Sequence, residues 1–156
     1  MEGLIVRPMG ADDVADVLEV QREAFAVEAR LYDDPALPPL REEADGVLAD
    51  LTGGYGFVAL WDGRIAGSVR VRVDGDSLAI GRLAVRPALQ GRGIGSALLA
   101  RAEAAAPATE ALLFTGHLSE GNLRLYRAAG YVEQRRARVD DKVTLVHLRK
   151  DLLRRE

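Results

Sequence analysis

Cysteine is absent from the 156 residues, which excludes a disulfide scaffold, thiolate metal sites and any covalent cysteine intermediate. There are two histidines, His117 and His147, too few and too far apart for the usual ligand set of a zinc enzyme, so no metal is expected. Aromatic side chains make up 5% of the chain, with three phenylalanines, and 21 Lys and Arg fall short of 24 Asp and Glu. An acidic balance with so few stacking rings argues against a nucleic-acid-binding module and against bulk attraction to an anionic membrane. No stretch approaches the ~18 consecutive apolar residues of a membrane span. The opening MEGLIVRPMG lacks the basic flank and sustained apolar run of a signal peptide. A cytoplasmic protein is expected, and the length fits a single domain over residues 1–156.

What is present is a change of period along the chain. Leu4 to Arg7 reads as an opening strand stopped by Pro8. Val14, Val17, Leu18 and Phe25 recur at helical spacing, with Asp12 and Asp13 placed to favour a helix N-terminus. Three prolines between Tyr32 and Arg41 interrupt that helix, and a second is expected from about Glu42 to Leu51, closed by Gly53 and Gly54. Tyr55 to Trp61, Ile65 to Val73 and Ser77 to Val85 predict an antiparallel meander that turns at Asp62-Gly63 and Asp74-Gly75-Asp76. After Pro87 a glycine-rich loop enters a helix from Gly91 to about Ala106, with Ile94, Ala97, Leu98 and Ala102 on its buried face. Glu110 to Thr115 reads as a short strand and Gly121 to Ala129 as a helix stopped by Gly130. Tyr131 to Arg135 and Val143 to Leu148 make a final antiparallel pair. The expected fold class is α/β: a mixed, mostly antiparallel sheet of about seven strands with helices on both faces.

The densest signal runs from Arg82 to Ser96, RLAVRPALQGRGIGS. Gly91, Gly93 and Gly95 leave backbone N–H groups unshielded where a helix begins, and Arg92 adds a full positive charge. Unpaired amides and the positive end of the helix dipole favour an anion there. The bland reading of the same glycines is a flexible turn. A P-loop needs Gly-Lys followed by Ser or Thr, which does not occur, and G-x-G-x-x-G fails because its last position falls on Ser96 or Leu98. What fits is Q-x-x-G-x-G on Gln90, Gly93 and Gly95, after a strand ending Leu83-Ala84-Val85. Further on, Asn122 to Tyr131 (NLRLYRAAGY) reads N-x-x-x-Y-x-x-x-G-[FY]. These two motifs, their spacing and the element order resemble the GNAT superfamily of N-acetyltransferases over essentially the whole chain.

The resemblance implies the GNAT fold, with its fourth and fifth strands splayed apart, and acetyl-CoA as co-substrate. It implies that backbone amides of Gln90, Gly91, Arg92, Gly93, Ile94, Gly95 and Ser96 meet the pyrophosphate. Leu83, Ala84 and Val85 would hydrogen-bond the pantetheine arm as a missing neighbouring strand would, and their N–H groups would polarise the thioester carbonyl. Tyr126 is implied as the acid that protonates the departing thiolate, since a phenol titrating near ~10 holds its proton at neutral pH. Asn122 reads either as a cofactor-side hydrogen-bonding residue or as an N-cap.

The base is less legible. An amine of pKa ~10.4 costs roughly 4 to 5 kcal/mol to deprotonate at pH 7. Members of the superfamily often place a carboxylate on the fourth strand, where this chain has Leu78, Ala79, Ile80 and Gly81. His117, just past the fifth strand, is the expected catalytic or substrate-contacting residue, because an imidazole titrates near ~6.5. Glu120 and Glu28 are weaker candidates, and an amine of low pKa needs no base. Without cysteine, direct attack in a ternary complex is expected rather than a ping-pong thioester route. The acceptor is expected between the first two helices and the final hairpin, with Glu28 and Tyr32 as substrate-binding residues. Arg135, Arg136 and Arg138 read either as contacts to an acidic group or as solvated edge charges, and Arg124 and Arg127 either as 3′-phosphate contacts or as surface pairs. The expected function is acetyl transfer to a primary amine of a small molecule or peptide. A non-catalytic CoA-sensing or scaffold domain of the same fold is the alternative, and a homodimer is expected by analogy.

Overall fold

Phe57 and Ala59 pack into one hydrophobic core, while Val58 between them packs into a second. Successive strand side chains point to opposite faces, so the sheet that carries them is covered on both. In the computed structural model, which describes residues 3–152, this is a seven-stranded sheet ordered β1-β2-β3-β4-β5-β7-β6. Its strands are β1 (Leu4–Pro8), β2 (Tyr55–Trp61), β3 (Arg64–Asp74), β4 (Ser77–Val85), β5 (Glu110–Gly116), β6 (Val132–Arg138) and β7 (Thr144–Asp151). Helices α1 (Val14–Tyr32), α2 (Pro38–Arg41), α3 (Ala44–Gly53), α4 (Ile94–Glu103) and α5 (Glu120–Ala128) complete the order. Leu98 and Leu99 of α4 and Leu123 of α5 fill one core, and Val17 of α1 and Val47 of α3 fill the other.

The expected α/β class and mostly antiparallel meander are those observed, with differences at the boundaries. α1 continues to Tyr32, where Asp33 takes a left-handed φ of 52° and its N–H returns to Ala29 and Arg30. The proline segment is not wholly irregular: Pro38 and Pro39 open the single turn α2, a position where a missing N–H removes no hydrogen bond. α4 begins at Ile94 rather than Gly91, because Gly93 caps it with φ at 86°. β6 and β7 are longer than expected: β6 runs on to Arg138 opposite Thr144, and β7 runs on to Asp151 because it pairs there with Glu110 of β5.

Two local features of β4 shape the middle of the sheet. Its pairing with β5 is parallel and lasts for three residues, Ser77 with Glu110, Leu78 with Ala111 and Ala79 with Leu112. Beyond them β5 stays with β7 as far as Gly116 opposite Leu145, and β4 stays with β3 as far as Val85 opposite Gly67, so a wedge opens between β4 and β5. Inside the wedge β4 bulges. Arg70 pairs with Gly81 and Ser68 with Ala84, so Val69 alone faces Arg82 and Leu83, and Arg82 has a positive φ of 54°.

Behind the bulge lies a charged cluster. Arg70 is 4% exposed and donates to Gln21 Oε1 and Glu42 Oε1, each at 2.6 Å, and to Asp50 Oδ2 at 3.2 Å. Arg82 Nε stands 3.5 Å from the same Glu42 oxygen. Gln21 Nε2 also donates to Glu42 and to the Pro39 carbonyl, both at 2.9 Å. Helices α1 and α3 and the segment between α2 and α3 are thereby tied to one guanidinium, and the bulge joins them through Arg82 and Glu42.

Candidate active site

The wedge leads into a cavity of about 720 Å³ lined by the end of β4, the loop entering α4, the C-terminal half of α1 and the first turns of α5. Leu83, Ala84 and Val85 form its strand wall, and Gln90, Gly91, Gly93, Ile94, Gly95 and Ser96 form its loop wall. Gly91 and Gly93 have φ of 81° and 86°, values that side-chain-bearing residues rarely adopt. α4 has no side-chain cap, and its first intrahelical bond runs from Ala97 N–H to Gly93 carbonyl at 3.0 Å. The amides of Ile94, Gly95 and Ser96 are therefore among those a helix start leaves without intrahelical partners. Gly95 also lets the two helices close: a β-carbon there would stand 3.2 Å from Leu125 Cδ2 of α5.

The opposite wall is α1, which contributes Ala24, Phe25, Glu28 and Leu31. Ser119, just before α5, occupies an N-cap position but makes no cap hydrogen bond; its hydroxyl donates to Glu28 Oε1. The Tyr32 hydroxyl lies 2.7 Å from Ser119 Oγ and accepts the Leu118 N–H at 2.9 Å. Tyr126, further along α5, is 5% exposed. Burial, reinforced by the charge of Glu28, pushes its phenol up from the ordinary value, so it keeps its proton through neutral pH. Asn122 lines the cavity and donates from Nδ2 to Thr115 Oγ1 at 3.2 Å.

The cavity offers an anion site of bare amides, a strand edge released from its neighbour and the Glu28 carboxylate; the protonated Tyr126 phenol is buried and is not among the residues that line it. The model of the acetyltransferase (GNAT) family matches residues 16–131. The chain belongs to that family. No curated relative matches it by sequence. Among solved structures of GNAT fold, a Salmonella typhimurium protein, yncA, solved with its cofactor acetyl-CoA, is similar at 18% identity and TM-score 0.76. That match covers 99% of this chain and 96% of the other. The PaiA N-acetyltransferase of Thermoplasma acidophilum, in complex with coenzyme A, matches at 18% identity and TM-score 0.78, covering 95% and 98%. The ribosomal-protein-S18-alanine N-acetyltransferase of Escherichia coli matches at 16% identity and TM-score 0.78, covering 98% and 96%.

Within this GNAT domain the residues singled out from sequence divide into two groups. The strand, the loop glycines, Asn122 and Glu28 meet around one cavity. Others are engaged elsewhere. The Arg92 guanidinium lies over the Trp61 ring, 5.6 Å from its centroid, and Arg92 does not line the cavity. Tyr32 is buried, and its hydroxyl serves Ser119 and Leu118. His117 accepts the Thr144 N–H on Nδ1 at 3.1 Å and packs at 5.8 Å on the Tyr32 ring. The same Nδ1 lies 3.2 Å from the Thr144 carbonyl, so its role as donor or acceptor follows the tautomer, and His117 is not among the residues that line the cavity. Arg136 and Arg138 pair with Glu133 and Asp141 on the hairpin, and Arg127 lies 3.8 Å from Glu133. The acceptor region expected between α1 and the β6–β7 hairpin is bridged by Lys142 Nζ, which donates to the Asp33 carbonyl at 2.7 Å. Sequence reasoning misses Ser119 and Gly116. The signal for Ser119 is a serine ahead of a helix, but it points to a cap. Gly116 matters because a β-carbon there would overlap the Tyr32 hydroxyl.

Proposed function

We propose that the protein moves the acetyl group of acetyl-CoA to a primary amine of a small molecule or peptide, by direct attack in a ternary complex. The observation that carries this is the parting of β4 from β5 after three paired residues, beside a helix start whose amides are uncapped. In this reading the amides from Gln90 to Ser96 hold the pyrophosphate and the free edge of Leu83 to Val85 pairs with the pantetheine arm. N–H groups of the same strand polarise the thioester carbonyl, whose oxygen gains charge as the amine attacks. Tyr126 gives its proton to the departing sulfur, and burial keeps that proton in place until then. Asn122 and Glu28 contact the two substrates, and His117 acts through Tyr32 by packing against it. The guanidinium of Arg124, which lines the cavity, suits a coenzyme phosphate. The proposal includes a cytoplasmic homodimer acting on diffusible amines, supported by the acidic balance and the resemblance to the superfamily.

The test is release of free thiol from acetyl-CoA across polyamines, amino acids, aminoglycosides, simple alkylamines and peptides, with coenzyme binding followed by calorimetry. Amine-dependent thiol release is expected. Binding of coenzyme without turnover on any amine would replace this reading with the non-catalytic CoA-sensing one, which the lack of a carboxylate on β4 favours.

A further inference from the structure

Direct attack requires a group that takes a proton from the amine nitrogen, and β4 supplies none. Gly81 faces open space, with no atom within 4 Å of where a β-carbon would stand. His117 Nδ1 faces both the N–H and the carbonyl of Thr144, at 3.1 and 3.2 Å, and the residue does not line the cavity. Two carboxylates line the cavity, Glu28 of α1 and Glu120 of α5, and a directed hydrogen-bond chain ends on Glu28. A backbone N–H can only donate, so the Leu118 N–H gives its hydrogen to the Tyr32 oxygen at 2.9 Å. The Ser119 hydroxyl donates to Glu28 Oε1, which leaves Tyr32 as the donor in the 2.7 Å contact with Ser119 Oγ. Three donors in series thus point one way, each polarising the next, and the last of them fixes the orientation of the carboxylate at the cavity wall. The chain joins positions about ninety residues apart, and it closes because Gly116 has no side chain where the Tyr32 hydroxyl sits. The other carboxylate oxygen makes no protein hydrogen bond among the described residues, and Glu28 lines the cavity.

We infer that Glu28 is the base of this acetyl transfer, with Ser119 and Tyr32 as positioning residues that hold it aimed into the cavity; this rests on the acetyl-transfer reading above. The neutral amine attacks the thioester carbon, the N–C bond forms and the C–S bond breaks. Bond formation makes the nitrogen strongly acidic, and Glu28 Oε2 takes one of its protons. Tyr126 protonates the sulfur, and Glu28 then returns the proton it took to the Tyr126 phenolate beside it. Amide and free thiol leave, and both residues are back in their starting forms.

The experiment compares ethylamine with trifluoroethylamine, a weakly basic amine of nearly the same size, as acceptors for wild type and Glu28→Gln. For a base, kcat falls about 10²-fold or more with both amines, while acetyl-CoA affinity stays within a few-fold and reports an intact fold. Ser119→Ala and Tyr32→Phe lower kcat by about five-fold while the KM for ethylamine and the acetyl-CoA affinity stay within about two-fold, because the base loses its aim and no substrate contact is removed. An unchanged kcat in Glu28→Gln, with KM raised for ethylamine alone, would make Glu28 an ammonium anchor and overturn the assignment while leaving acetyl transfer standing. A kcat unchanged in both chain variants, or a KM for ethylamine that rises while kcat holds, overturns the positioning roles. No thiol release by the wild type with either amine overturns the base together with transfer to simple amines.

Discussion

Tyr126 shows how much one side chain's meaning depends on where the fold puts it. A tyrosine on an amphipathic helix is ordinarily a packing residue, and this one is indeed buried, with its ring 6.1 Å from that of Tyr131. Burial in turn keeps its phenol protonated, so the packing residue is also suited to deliver a proton. Tyr126→Phe keeps the packing and removes the proton; kcat is expected to fall by about 10² to 10⁴, with acetyl-CoA affinity within a few-fold by calorimetry. The tyrosine is legible in the sequence because it sits at a fixed spacing from Asn122 and Gly130 on one helix. Glu28 comes from α1, whereas Gly116 and Ser119 sit together between β5 and α5, and nothing local in the sequence says that a glycine in β5 clears space for a phenol at the end of α1. Local spacing is written in the chain, whereas a contact across about ninety positions is decided by the sheet.

At the scale of elements, the loop into α4 joins conformation to binding most directly. Gly93 holds a φ of 86°, which a β-branched residue reaches only at a strain of about 1–3 kcal/mol. Gly93→Val is therefore expected to pull the loop out of its left-handed turn and abolish coenzyme binding in calorimetry, with far-ultraviolet circular dichroism unchanged. Retained binding would remove the loop from the anion site. The same conformational rule explains why α4 starts later than its glycine-rich entry suggests. Periodicity extends the helix back to Gly91, but a residue in the left-handed region ends a helix ladder rather than extending it. The prolines of α2 mislead in the other direction, since they are compatible with a first helical turn. Strand boundaries are far easier to read: the turns at Asp62-Gly63 and Gly75 place glycines at positive φ, and the meander between them lies where alternation puts it.

The whole molecule is pinned by the charged cluster at Arg70. Burial works against ionisation of Glu42, but hydrogen bonds from Arg70 and Gln21 and the charges of Arg70 and Arg82 outweigh it and hold the carboxyl below its ordinary range. Between that depressed value and ~4.3 the unfolded chain binds a proton that the folded chain does not, so stability rises with pH across this window. The contribution is present in full above ~4.3 and is lost as pH falls through the folded value. Denaturant titrations from pH 7 downward are expected to show this acid-side loss in wild type and a flatter profile in Glu42→Gln. Equal slopes would detach the cluster from acid stability. None of this is visible in the sequence, where Arg70 occupies one position of an alternating strand and looks like any outward-facing charge.

The brief parallel contact between β4 and β5 divides the sheet into two panels, of four and three strands, joined by a narrow isthmus. The panels still share one hydrophobic core, with Phe57 and Val69 on one side and Leu113 and Val146 on the other, and a long, thin cargo slipped into the open end of the seam would act as a zip. The coenzyme would therefore be part of the architecture while bound, and each round of catalysis would end with the enzyme briefly unstitched.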